Sequence, residues 1–185
     1  MHKTSAWPLA LIYAALIVYA SLYPFSDWRN QGILPWAYLS APWSRYWSWF
    51  DVVTNVLGYA PMGFLLCLSA QRSRRTRAAL WLSVLACALL SLCMESLQSY
   101  LPTRVADSMD LTMNVLGGAF GSVSASVLER LGTIDRWSHF RRRWFEPDAR
   151  WALVLLALWP AALLFPASVP FGLGQVLERA QPLLV

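Results

Sequence analysis

Eight side chains stand out as able to do chemistry: Asp51, Asn55, Glu95, Gln98, Arg104, Asp107, Asp110 and Asn114. Their spacing is helical. Asp51 and Asn55 are four apart, and Glu95 and Gln98 are three apart. Arg104, Asp107, Asp110 and Asn114 follow at intervals of three, three and four, which is one face if the segment is helical. Four carboxylates with one guanidinium nearby leave excess negative charge. That excess is relieved by protonation, a bound cation or a cationic ligand. The amides of Asn and Gln donate and accept, so they suit amide and hydroxyl groups. The set therefore reads as a ligand-binding cluster for a polar or cationic head. No cofactor is expected, although oxygen ligands would suit a divalent cation such as Mg²⁺ or Ca²⁺.

An enzyme is the first alternative. A carboxylate would act as general base while Arg104 steadies an anion, or a metal would assist a hydrolase or transferase. The cluster has no His, the chain has no G-x-S-x-G, and no nucleophile stands beside a base. Binding is favoured over turnover for that reason. A purely structural reading stands beside both. Asp51 and Asp110 are good helix starters. Asn55 and Asn114 would tie helices together. Arg104 and Asp107 would form a local ion pair.

The elements that must position these groups are apolar. Hydrophobic residues make up 57% of the chain and charged residues 14%, which is too apolar for an ordinary soluble domain. The apolar residues fall into blocks at Trp7–Phe25, Asp51–Ala70, Ala78–Tyr100, Asp110–Leu128 and Trp151–Phe165. A bilayer core needs roughly 20 helical residues to cross. Backbone groups in lipid must be paired within the segment, so the blocks read as transmembrane helices. Lys3 and Val18-Tyr19-Ala20 mimic a secretory signal. The long apolar stretch ending in Tyr23-Pro24-Phe25 argues instead for an uncleaved helix.

Charge sets the expected orientation. Lys3, Arg72, Arg74, Arg75, Arg77, Arg130, Arg136, Arg141, Arg142, Arg143 and Arg150 fall on one side of the helices. Arg29, Arg45, Arg104 and Arg179 fall on the other. Basic short loops stay cytoplasmic. The expectation is a multi-pass protein of the inner or plasma membrane, N-terminus inside and C-terminus outside. Its partners would be membrane lipids, anionic at the cytoplasmic face, with no nucleic acid. The eight polar side chains then lie near the outer end.

A repeat organises the chain. DVVTNVLG at Asp51 and DLTMNVLG at Asp110 share the frame D-x-x-x-N-V-L-G. The preceding segments also end alike, in SLYPF and SLQSYLP. Two helix pairs related by a twofold along the membrane normal are expected, plus a fifth helix. Such a repeat suits a small transporter. The short length and acids confined to one end argue against it, as does a lack of polar residues reaching the inner half. Gly117 and Gly121 form G-x-x-x-G, which permits close helix approach. Gly58 and Gly63 are expected to pack similarly, and Pro61 to bend the second helix. Cys67, Cys87 and Cys93 have no metal spacing and read as small buried side chains. The Trp-rich stretch between the first two helices reads as an outer-leaflet belt or a lid over the site.

These motifs resemble the VanZ-like family. The matching positions are Asp51, Asn55, Gly58, Pro61, Gly63, Glu95, Gln98, Arg104, Asp107, Asp110, Asn114, Gly117 and Gly121. The resemblance covers roughly residues 7 to 128 and implies an all-α, four-helix membrane core. The family's named trait is lowered susceptibility to teicoplanin, a glycopeptide directed at cell-wall precursors. The resemblance implies a lipid-linked envelope component as a partner, but no catalytic residues. The expected layout is a core at 1–128, a basic interfacial cytoplasmic segment at 129–150, a fifth transmembrane helix at 151–166, and an outer tail at 167–185 that reads as the front of something longer.

Overall fold

The computed structural model describes residues 6–43, 48–73 and 78–144, with isolated positions at 152, 155, 156 and 159. The regular elements there are helical: α1 Ala6–Leu22, α2 Trp49–Arg72, α3 Ala79–Gln98, α4 Ser108–Arg130 and α5 Thr133–Trp144. A short 3₁₀ turn, Ala37–Ser40, lies in the link between α1 and α2. The chain divides into two units, Met1–Arg136 and Trp137–Val185, with the division inside α5. Apart from those isolated positions, the expected fifth transmembrane helix at 151–166 and the tail at 167–185 lie outside the described residues, as do Arg45, Trp47 and most of the basic loop after α2.

Helices α2, α3 and α4 have 24, 20 and 23 residues, apolar enough to cross a membrane. At 1.5 Å per residue each is about 30 Å or longer, the thickness of a bilayer core. Helix α1 is shorter, at 17 residues. The surface is inverted relative to a soluble protein. Leu57, Trp81, Leu85, Leu89, Leu116 and Phe120 are exposed, while Ser83, Ser91 and Ser122 are buried. Lipid supplies no hydrophobic force between helices, so small and polar residues go to the contacts and large apolar ones face outward.

The main contact is between α2 and α4. A Cβ at Gly117 would overlap the backbone of Val56, and one at Gly121 the carbonyl of Ala60. Gly63 meets Gly118 in the same way. On the other side of α4, a Cβ at Gly118 would fall 2.7 Å from Cys87 Cβ of α3. Four glycines thus bring three backbones together. Ser122 fills the junction: its Oγ is 2.8 Å from the Gly118 carbonyl, 3.2 Å from that of Gly63 and 2.9 Å from Ser83 Oγ.

Several expectations change here. Gly58 makes no close backbone approach: an added Cβ would meet nothing within 4 Å, and its contact with α1 is through its carbonyl, which accepts from the Tyr13 hydroxyl at 3.0 Å. Pro61 is exposed and lies within the continuous helix α2. Cys67 and Cys87 are buried, but Cys93 is exposed. Polar groups also continue down the bundle past Asn114. Below Ser122, Gln71 Nε2 donates to Ser126 Oγ at 3.0 Å. Serine at helical spacing inside an apolar block is easily overlooked, because its hydroxyl can fold back onto its own helix, as Ser126 does onto the Ser122 carbonyl at 3.0 Å.

At the far end Arg72 joins α2 to α4 and α5, with ion pairs to Glu129 at 2.9 Å and Asp135 at 2.7 Å. Helix α4 stops at Leu131 and Gly132. Gly132 takes φ +68°, where a side chain would be strained. Within α5, the Trp137 and Phe140 rings stack with centroids 5.7 Å apart.

Candidate functional site

The site is built at the end where α1 and α3 finish and α2 and α4 begin. Four sets of helix termini meet there, so their unpaired backbone groups must be satisfied. Much of the predicted polar cluster does this work.

Helix α2 starts at Ser48. The Ser48 hydroxyl oxygen accepts from Asp51 N–H at 3.1 Å, and Asp51 Oδ2 accepts from Ser48 N–H at 3.1 Å. This is a reciprocal capping box, with Asp51 at the third helical position. Helix α4 starts differently. Asp107 is its cap, accepting from Met109 N–H at 2.9 Å. The backbone N–H of Asp107 donates to Glu95 Oε2 of α3 at 3.1 Å. Asp110, also at a third helical position, is thereby left available, and it accepts from Asn55 Nδ2 at 2.7 Å.

Helix α1 ends in four carbonyls without helical partners. Tyr19 O accepts from Tyr23 N–H and Leu22 O from Phe25 N–H, both at 2.9 Å. The other two are met from the next helix pair. Gln98 Nε2 donates to Ser21 O at 3.1 Å. Arg104 Nη2 donates to Ala20 O at 3.2 Å and to Tyr23 O at 3.4 Å. A cation at a helix C-terminus is also favoured by the dipole. The expected Arg104–Asp107 ion pair is absent among the described residues, and the four-residue face from Arg104 to Asn114 does not form. The helix begins only at Ser108, so Arg104 lies in the preceding loop.

Deeper in, Asn114 Nδ2 donates to Ser91 Oγ of α3 at 2.9 Å. Glu95 and Asn114 are buried, 3% and 5% exposed. Asn114 Oδ1 and the hydroxyl of Tyr59 are both buried with no hydrogen-bond partner among the described residues. A buried polar atom without a partner costs about 1–3 kcal/mol, so both stand out as acceptors or donors awaiting something.

These groups surround a cavity of about 450 Å³. Asp51, Asn55, Glu95, Gln98, Arg104, Asp110 and Asn114 line it; of the eight predicted residues, Asp107 does not. Tyr59 lines it too and was missed from sequence. The signal was present: Tyr59 follows Asn55 by one helical turn. Of the expected lid, Tyr46 and Trp47 lie outside the described residues. Phe50 lines the cavity, whereas Trp28, Trp36, Trp43 and Trp49 do not, and all four are exposed. The link carrying the first three is fastened to the end of α3. Arg29 N–H donates to Tyr100 O at 3.0 Å and Gln31 Nε2 to Ser99 O at 2.8 Å. Tyr38 is buried beside α3, and that burial raises its phenol above the ordinary value. Among the described residues, no three His, Cys, Asp or Glu side chains come together as a metal-holding group.

Long apolar helices, an apolar exterior, a small and polar interior and a polar cavity at one end define a helical membrane protein. The chain belongs to the VanZ/LLP1 family, which matches residues 7–129. No significant match was found among curated proteins or solved structures.

Proposed function

We propose that this protein binds the headgroup of a cell-envelope component, a membrane lipid or a lipid-linked cell-wall precursor, in the cavity between α1, α2, α3 and α4. One observation carries the reading. Glu95, Asp110, Asn114 and Tyr59 come from three helices and converge on one cavity, and two of them present buried polar atoms without partners. A volume of 450 Å³ suits a headgroup, within the roughly 300–1,000 Å³ of small-molecule sites. The cavity faces away from the cytoplasm, in an inner or plasma membrane, with the N-terminus inside. The basic residues after α2 and α4 support that orientation.

The core is a four-helix transmembrane unit made of two helix-pair repeats, α1–α2 and α3–α4, followed by a fifth transmembrane helix over 151–166 and an outer C-terminus. The shared D-x-x-x-N-V-L-G frame supports the repeat. Helix α5 lies on anionic lipid at the inner surface, supported by Arg136 and the exposed rings of Trp137 and Phe140. Arg104 and Gln98 serve the site by positioning α1, one wall of the cavity.

Mass spectrometry of lipid that copurifies with the protein tests the reading. The parent protein is expected to retain a specific envelope lipid, and Glu95→Gln with Asp110→Asn to lose it. Equal retention by parent and double variant would sink the proposal.

A further inference from the structure

The cavity's charges are unequally distributed with depth, and that constrains the ligand. Three carboxylates line it: Glu95, 3% exposed, Asp110, half-buried in the first turn of α4, and Asp51, exposed in the first turn of α2. Among the described residues none of the three forms an ion pair; the ion pairs found there belong to Arg72, at the opposite end. Arg104 is exposed in the loop at the mouth. Its Nη2 is turned to the α1 carbonyls, and its Nη1 and Nε donate to no described residue. Asn114 Oδ1, in a side chain 5% exposed that lines the same cavity, is an acceptor without a donor among the described residues. The Tyr59 hydroxyl, equally buried, also lacks a partner among the described residues.

From this arrangement we infer that the cavity takes a zwitterionic head, its primary ammonium inside against Glu95, Asp110 and Asn114 and its phosphate at the mouth against Arg104. This deepens the headgroup-binding reading above and rests on it. The chemistry is selective at both ends. An ammonium has three donors and no acceptor, matching two carboxylates and an orphan amide oxygen. It also supplies the counter-charge that buried carboxylates otherwise lack. A neutral hydroxyl head supplies no counter-charge and leaves the carboxylates to be relieved by protonation instead. The remaining guanidinium N–H groups suit a phosphate oxygen, and the phosphate need not leave water because Arg104 is exposed.

The test uses the full chain in nanodiscs and reads bound lipid by native mass spectrometry. Phosphatidylethanolamine is compared with phosphatidylglycerol, which has no amine, and with N-acetylated phosphatidylethanolamine, which has lost the charge. Retention of phosphatidylethanolamine is expected to exceed both by at least about tenfold, the effect of one well-placed charge interaction. Glu95→Gln and Asp110→Asn keep acceptors for Asp107 N–H and Asn55 while removing charge, so each is expected to abolish the preference. Glu129→Gln, at the other end of α4, is expected to leave it unchanged. Soluble phosphoethanolamine that displaces the lipid at millimolar levels identifies a free zwitterion as a competent source. Its failure to compete assigns the head to a lipid. Equal retention of the amine and its acetylated form overturns the zwitterion while leaving headgroup binding intact. No lipid retained above the double carboxylate variant overturns both.

Discussion

Helices α2 and α4 open with the same frame, D-x-x-x-N-V-L-G, and put it to different uses. The aspartates occupy the same helical position, three beyond the cap. Asp51 closes a capping box on its own helix and is exposed. Asp110 leaves its own cap alone and crosses to Asn55. Two causes act together: the cap before Asp51 is Ser48, whose hydroxyl donates to Asp51 Oδ2 at 2.7 Å, whereas the cap before Asp110 is the Asp107 carboxylate, which has no donor, and a third helix intervenes. The N–H of the α4 cap is already held by Glu95 of α3, whereas nothing from outside α2 does this for Ser48 among the described residues. The glycines diverge likewise. Gly58 faces open space, and Gly117 touches the backbone of Val56. A repeated local sequence therefore specifies a helix and its starting chemistry, while the neighbour opposite each residue specifies what that chemistry holds.

The glycines provide the largest test of this difference. Gly117→Val or Gly121→Leu forces a side chain into the backbone of α2, where nothing can move aside. A loss of about 3 kcal/mol or more is expected, at the upper end of overpacking costs. Gly58→Ala is expected to be neutral or to stabilise by up to about 1 kcal/mol, the helix-interior preference for alanine. Unfolding midpoints in detergent distinguish the two. Similar losses at Gly58 and Gly117 would remove the distinction between the repeats.

The aspartates come next. Asp110→Ala strands the half-buried amide of Asn55 and is expected to cost about 2 kcal/mol. Asp51→Ala removes a cap interaction and is expected to cost about 1 kcal/mol. Denaturant titration of both variants gives the order, and a reversed order would contradict the wiring described here. A double-mutant cycle on Asn55 and Asp110 sharpens the comparison further. The coupling is expected near 1 kcal/mol, within the range of hydrogen bonds between membrane helices. In a Glu95→Ala background the α4 cap N–H loses its partner, and Asp110 is expected to turn back to it. The coupling to Asn55 then falls toward zero. A coupling unchanged by Glu95→Ala would show that Glu95 does not release Asp110.

The smallest effect lies at the other end of the same two helices. Arg72 pairs with Glu129 of α4 and Asp135 of α5, and all three side chains are reached by solvent. Arg72→Gln is expected to cost less than about 1 kcal/mol, the usual value of an exposed pair. Thermal unfolding at two salt concentrations reads it. A loss as large as that of Asp110→Ala would mean that the two helices are joined at both ends rather than mainly along the glycine seam.

A good part of this was legible in the chain. Block length and composition identified helices for a membrane, and the combined motif identified the family now matched over residues 7–129. The G-x-x-x-G pair at Gly117 and Gly121 was readable because close approach needs small residues at one spacing on one face. Other features were not. Gly118 was hidden beside Gly117, since a second glycine contact one residue on requires a third helix from another direction. Gly58 and Pro61 looked like packing residues because nothing local distinguishes a glycine facing a neighbour from one facing a cavity. Gln98 and Arg104 were grouped with the ligand-binding side chains, and both meet the end of α1. Their partners lie 77 and 84 residues away in sequence, beyond any spacing rule. Tyr59 was passed over as an aromatic in an apolar run.

The amino-acid sequence alone determined that the chain forms apolar helices of membrane-spanning character, where α1 to α4 begin and end to within a few residues, and which polar types gather at their termini. Those properties depend on local hydropathy and on caps, both of which act within a turn or two. Only the tertiary structure decided which polar groups cap a helix, which tie two helices together and which remain unpartnered around the cavity. Asp51 and Asp110 are chemically identical and hold the same helical position, behind different caps, Ser48 and Asp107. They differ because a hydrogen bond requires a particular partner within about 3 Å, and only the packing of α3 against α4 brings Glu95 to one helix start and not to the other.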